Sequence, residues 1–103
     1  MTVNVTNNVA KSRFEAAVDG HTAVAEYRLH PGVVIFPHTV VPEVLEGQGV
    51  GSALVRAALE WARAEGLKVV PACSFFAGYM ARHPETQDLL ADGERDKLAA
   101  RAG

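Results

Sequence analysis

The sequence predicts a single α/β domain of the α+β kind, a mixed, mostly antiparallel sheet with packed helices, and three observations predict it. Apolar residues alternate with polar ones on either side of Asp19-Gly20. A nearly continuous apolar run, Val33-Val34-Ile35-Phe36, follows a Pro-Gly turn, and a long amphipathic segment follows a glycine-rich loop at residues 47–51. A chain of 103 residues with 49% apolar content suits one core, so one domain over 1–103 is expected.

Met1 to Val9 is polar and β-branched, which fits a frayed end or a short edge strand. Ser12 to Val18 reads as a strand because Phe14, Ala16 and Val18 alternate with Arg13, Glu15 and Ala17; Thr22 to Leu29 reads as its partner, with Val24 alternating with Ala23 and Ala25 before Tyr27. Asp19-Gly20 between them is a dipeptide whose two members tolerate positive φ, which a tight hairpin requires. His30-Pro31-Gly32 makes the next turn, and the run Val33 to Phe36 has the look of a strand buried on both faces, resuming at Thr39 to Val41 beyond Pro37.

From Val50 to Glu65 the periodicity is helical. Val50, Leu54, Ala57, Ala58, Trp61 and Ala62 share one face, Arg56, Glu60 and Arg63 the other, and Gly66 ends the helix. Leu67 to Ala72 then reads as a buried strand, and a short helix from Ser74 carries Phe75, Phe76, Tyr79 and Met80 until Pro84 closes it. The tail from Glu85 suits a further helix broken at Asp92-Gly93.

Composition excludes several classes of function. Ten Lys and Arg against twelve Asp and Glu give a formal charge of −2 with no basic cluster, so no nucleic-acid partner is expected. Cys73 is the only cysteine, which rules out an internal disulfide framework and a cysteine-rich zinc site. No histidine pair has the spacing of a metal site, and none is expected. No apolar run approaches the ~20 residues of a membrane span, and the first twenty residues hold no hydrophobic block before a cleavage site. The expectation is a soluble, cytoplasmic protein without a membrane partner.

Gly47, Gly49 and Gly51 sit at alternate positions where a helix begins. Amides in a helix's first turn lack intrahelical partners and carry the positive end of its dipole, and glycines leave room for an anion to reach them. A bare glycine-rich connection is the alternative. The Walker-type phosphate loop fails, because no Lys lies between Lys11 and Lys68. The dinucleotide fingerprint also fails: Ser52 stands where its third glycine belongs, and the next strand ends in Ala72 and Cys73 rather than an acidic residue.

The run TVVPEVLEGQGVGSALVRAALEWARAEGLKVVPACSFFAGYMARHPE, residues 39–85, resembles the GNAT-type N-acetyltransferases, in particular their small single-domain subgroup. The resemblance implies a minimal GNAT-like fold with a splayed strand pair, and acetyl-CoA as cofactor. It implies that main-chain amides of the loop from Glu46 through Gly47, Gln48, Gly49, Val50 and Gly51 to Ser52 cradle the diphosphate. Glu46 stands where the family has Arg or Gln, and a carboxylate there repels a diphosphate unless it turns to solvent. The resemblance further implies that Val40 and Val41 align the pantetheine arm through their backbone, and that Pro71 marks where the strand pair parts.

For chemistry, the resemblance offers Tyr79 as the acid that protonates the departing thiolate, with amphipathic core filler as the other reading. Cys73, ahead of a helix N-terminus, has three readings: nucleophile, acyl-pocket liner, or inert core. His38 is the preferred base for an ammonium acceptor, and His83 is placed as a helix cap. The expected function is acetyl transfer from acetyl-CoA to a primary amine of unknown identity, such as a lysine or N-terminus of a peptide or protein. The short Asp19-Gly20 turn leaves the acceptor side open. The alternative is a non-catalytic coenzyme A or acyl-coenzyme A binding module acting through a protein partner.

Overall fold

A computed structural model describes residues 3–102. Five strands form one sheet in chain order: β1 (Val5–Asn8), β2 (Arg13–Val18), β3 (His21–His30), β4 (Val33–Val40) and β5 (Lys68–Val70). The first three pairings are antiparallel and β4–β5 is parallel, so the mixed, mostly antiparallel sheet is present. Three helices follow or interrupt the strands: α1 (Val50–Ala64) crosses from β4 to β5, α2 (Ser74–Arg82) comes next, and α3 (Glu94–Ala102) ends the described chain.

Local chemistry accounts for the turns. Asp19 and Gly20 have φ of 50° and 78°, so both central residues of the β2–β3 hairpin are left-handed, the geometry that matches strand twist. Tight turns leave no room for helices between β2 and β3. Consequently one face of the sheet is packed and the other open: Phe14, Ala16 and Val18 of β2 and Ala23, Ala25 and Tyr27 of β3 are buried, while their alternates are not. The inward set on β3 is therefore the alanines and Tyr27, with Val24 outward. The apolar run of β4 corrects its expectation in the same way. Val34 and Phe36 are fully buried but Val33 and Ile35 only partly so, because helices cover a single face.

Aromatic rings line the core between sheet and helices. Trp61 of α1 meets Phe14 and Tyr27, with ring centroids 5.5 Å and 5.0 Å away, and Phe36 stacks on Phe76 of α2 at 4.1 Å. The Tyr27 hydroxyl donates to Asn7 Oδ1 at 2.9 Å and ties the edge strand β1 to its neighbours. On α1 the buried stripe is Val50, Gly51, Leu54, Val55, Ala58, Leu59 and Ala62. Val50, Leu54, Ala58 and Ala62 lie on it as expected, Trp61 is half-buried against the sheet, and Val55 and Leu59 widen the stripe because α2 covers that flank as well.

Two irregularities shape the end of the sheet that carries the candidate site. β4 runs unbroken through Pro37 because a bulge absorbs it: Glu26 pairs with His38 and Arg28 with Ile35, so Tyr27 faces two residues. β5 is shorter than the expected 67–72, since the Leu67 N–H turns back to cap α1 at Ala62 O and Pro71 stops the ladder. The last main-chain link between the two strands runs from Cys73 N–H to Phe36 O at 3.0 Å. Past it, β4 continues through Pro37 to Val40 paired only with β3, and its separation from β5 opens a wedge.

Candidate active site

The wedge leads into a cleft of about 630 Å³ between the free end of β4 and the start of α1. Thr39, Val40 and Val41 form one wall, and Leu45, Glu46, Gly47 and Gly49 form the loop side. Val50, Gly51 and Ser52 supply the first turn of α1, and Phe75 of α2 closes the end. Its size is that of a small-molecule site.

The loop earns its glycines for different reasons. Gly47 and Gly49 have φ of 80° and 77°, a conformation that costs a side-chain-bearing residue dearly, and a Cβ at either would point into open space. Gly49 is the N-cap of α1, and no side chain caps the helix. The first bond of the helix runs from Ala53 N–H to Gly49 O at 3.0 Å, so the amides of Val50, Gly51 and Ser52 precede the helical ladder. A left-handed residue feeding a helix also gathers successive N–H groups into an anion-binding concavity. Gly51, by contrast, is small because of its neighbour: an added Cβ would lie 2.1 Å from the Phe75 ring tip.

These features fit a diphosphate with one reservation of charge. Among the described residues no Lys or Arg lines the cleft, and Glu46 does. An anion in this cleft would be held by the backbone amides and the helix dipole.

Eight of the nine positions expected to hold the cofactor line this cleft: Val40, Val41, Glu46, Gly47, Gly49, Val50, Gly51 and Ser52. Gln48 turns away, its side-chain amide donating to Val44 O at 3.1 Å. Phe75 was not among the expected site residues. Its helical periodicity marked it only as part of an amphipathic face, and its neighbour Gly51 was read as clearance for phosphate.

The residues expected to do chemistry are scattered. Cys73 is half-buried, with Sγ 3.3 Å from Oγ1 of Thr39, so it meets a cleft-lining side chain without lining the cleft itself. It is also the N-cap of α2, with its own side chain making no cap bond. His38 is exposed on the open face of the sheet, beside Thr39 in sequence and directly across from Glu26. Tyr79 lies elsewhere. Buried at 6% exposure, it lines a second cleft of about 280 Å³ with Leu59, Leu89, Arg56 and Glu60, and its ring stacks on His83 at 4.0 Å. His83 is the C-cap of α2 and approaches Glu85, Nδ1 to Oε2, at 3.4 Å.

Among the described residues no three His, Cys, Asp or Glu side chains cluster as a metal site would require, and no helix is long and apolar enough to cross a membrane.

A wedge beside a parallel strand pair, with an uncapped, glycine-led helix at its mouth, is a place where a small anionic molecule can be held by main-chain amides. The family comparison agrees: residues 13–89 match the model of the GCN5-related N-acetyl-transferases, and the chain belongs to that family. The match runs from the first residue of β2 to the 3-10 turn after α2 and so contains the wedge, the loop and α1 entire. Acetyl-CoA-dependent acyl transfer is the general activity that membership carries.

Proposed function

We propose that this chain moves the acetyl group of acetyl-CoA onto a primary amine carried by a peptide or protein. The observation that carries the reading is the coincidence, in one cleft, of the free end of β4 with the uncapped first turn of α1. Bound acetyl-CoA supplies an acetyl group activated as a thioester.

The chain's own residues would act as follows. The amides at Val50, Gly51 and Ser52 would seat the diphosphate, and the edge of Thr39 to Val41 turned away from β3 would orient the arm as an added strand does. Thr39 and Cys73 share one hydrogen bond at the narrow end of the wedge, and they would supply the proton that a departing thiolate takes up. His38, the chain neighbour of Thr39 but on the opposite, open face of the sheet, would accept the proton of the incoming ammonium. The packed face of the sheet is filled by Phe36, Phe76 and their neighbours, so the acceptor approaches from the uncovered face. A flat, open approach suits an extended peptide better than an enclosed metabolite.

Thr39 and Cys73, rather than Tyr79, are assigned to the thiolate because Tyr79 opens into the other cleft. The experiment is acetyl transfer from labelled acetyl-CoA to a pool of lysine-bearing peptides by wild type, Tyr79→Phe, and Thr39→Val with Cys73→Ala. Tyr79→Phe is expected to keep turnover within about twofold, and the double variant to lose about 10²-fold, as removal of a positioned acid does. A large loss in Tyr79→Phe with an unimpaired double variant would refute the assignment. Binding of acetyl-CoA without amine-dependent thiol release would instead favour a non-catalytic binding module, the reading to which Glu46 in the cleft lends support.

A further inference from the structure

We propose that Phe75 is the platform on which the pantetheine arm of coenzyme A lies, and that Gly51 is a glycine to make room for that ring. This rests on the reading that the larger cleft receives acetyl-CoA.

Among the described residues five large apolar side chains are exposed, and two of them, Val40 at 55% and Phe75 at 40%, line this one cleft. Apolar exposure gathered in a concave site marks ligand contact rather than ordinary surface. Phe75 is also held in place. Its neighbour Phe76 is fully buried and stacked on Phe36, nearly parallel at 9°, which fixes the rotation of α2 and turns Phe75 toward the first turn of α1. There its ring occupies the space of the missing Gly51 side chain, with Cζ 2.1 Å and Cε1 2.4 Å from where a Cβ would stand.

Position decides which part of the ligand the ring meets. Phe75 follows Cys73 by two residues and touches Gly51, so it lies between the Thr39–Cys73 contact at one end and the amide seat at the other. In coenzyme A the portion between sulfur and diphosphate is the pantetheine arm, with its branched, apolar pantoate unit nearest the diphosphate. The adenosine lies beyond the diphosphate, on the far side of the seat from Cys73. An aromatic face there stabilises the arm by covering its methyl groups, and it supplies affinity that the cleft, lined by no cation among the described residues, does not obtain from charge.

Isothermal titration of wild type, Phe75→Ala and Phe75→Leu with coenzyme A, 4′-phosphopantetheine and adenosine 3′,5′-bisphosphate tests the assignment, with circular dichroism verifying that each variant is folded. Phe75→Ala is expected to weaken coenzyme A and 4′-phosphopantetheine by a common factor of about fivefold to twentyfold, the worth of a partly exposed ring, and to leave the bisphosphate unchanged. Phe75→Leu should recover part of the loss. Equal affinities in wild type and Phe75→Ala would overturn the inference alone, as would a loss shared by coenzyme A and the bisphosphate but not by 4′-phosphopantetheine. Wild-type protein that takes up none of the three ligands would overturn the acetyl-CoA reading and the inference together.

Discussion

Gly51→Ala separates two physical reasons for a glycine at the start of α1. The new methyl would stand 2.1 Å, 2.4 Å and 3.2 Å from three atoms of the Phe75 ring, whereas ordinary contact begins at 3.4 Å. The ring must retreat by more than about 1 Å, and it can, since it is 40% exposed and the colliding atoms are its outer end. Moving it off its rotamer costs about 0.5–1.5 kcal/mol. Replacing glycine by alanine within a helix returns about 0.5–1 kcal/mol. The variant should therefore stay within about 1 kcal/mol of wild-type stability in urea unfolding while binding coenzyme A roughly tenfold more weakly, because the displaced ring no longer flanks the cleft correctly. In a Phe75→Ala background the same substitution should cost less than about twofold, since nothing remains to displace. If Gly51→Ala weakens binding equally in both backgrounds, the methyl obstructs the ligand itself, and the reasoning from the ring is refuted.

Two further expectations follow from charge. Glu46→Gln should tighten coenzyme A by about threefold to tenfold at low ionic strength, by removing a carboxylate from a cleft meant for an anion, and the gain should shrink with added salt; weaker binding would show that Glu46 contributes a contact instead. Asp88 is held below its ordinary carboxylate range, first by hydrogen bonding to the Arg63 guanidinium, at 2.7 Å and 2.9 Å, and further by that group's charge. A lowered folded-state pKa means stabilisation present above the unfolded value and lost as pH falls through the folded one. Thermal melts of wild type and Asp88→Asn should differ slightly at neutral pH, the pair being exposed, and converge once the pH has fallen through the lowered range in which Asp88 takes up its proton; a gap that persists in strong acid would contradict the pairing.

What the sequence disclosed depended on how local the cause was. Asp19-Gly20, the Gly66 stop and the left-handed Gly47 and Gly49 answer to their own backbone dihedrals, so they were legible without a fold. The meaning of Gly51 was not, because the atom that forbids its side chain belongs to Phe75, a whole helix and strand later. The run Val33 to Phe36 invited a strand covered twice, yet apolar continuity cannot report whether a second layer exists; the tight β2–β3 turn could have said so, since it admits no helix to supply one. The resemblance puts Tyr79 on the right helix, but which way its side chain faces depends on the rotation of α2, which is set by Phe76 stacking on Phe36.

The segment after α2 also affects how the sheet ends. Leu90 bridges Val69 in parallel fashion, and the Ala91 N–H donates to Val69 O at 2.9 Å, so the outer margin of β5 is already hydrogen-bonded along its centre. A foreign strand has no free row of donors and acceptors to join there. The opposite margin, β1, offers only four residues and is tied inward through Asn7. A small sheet with one naked face thus keeps both borders poor templates for runaway stacking, a defence that matters most where no second layer hides the strands.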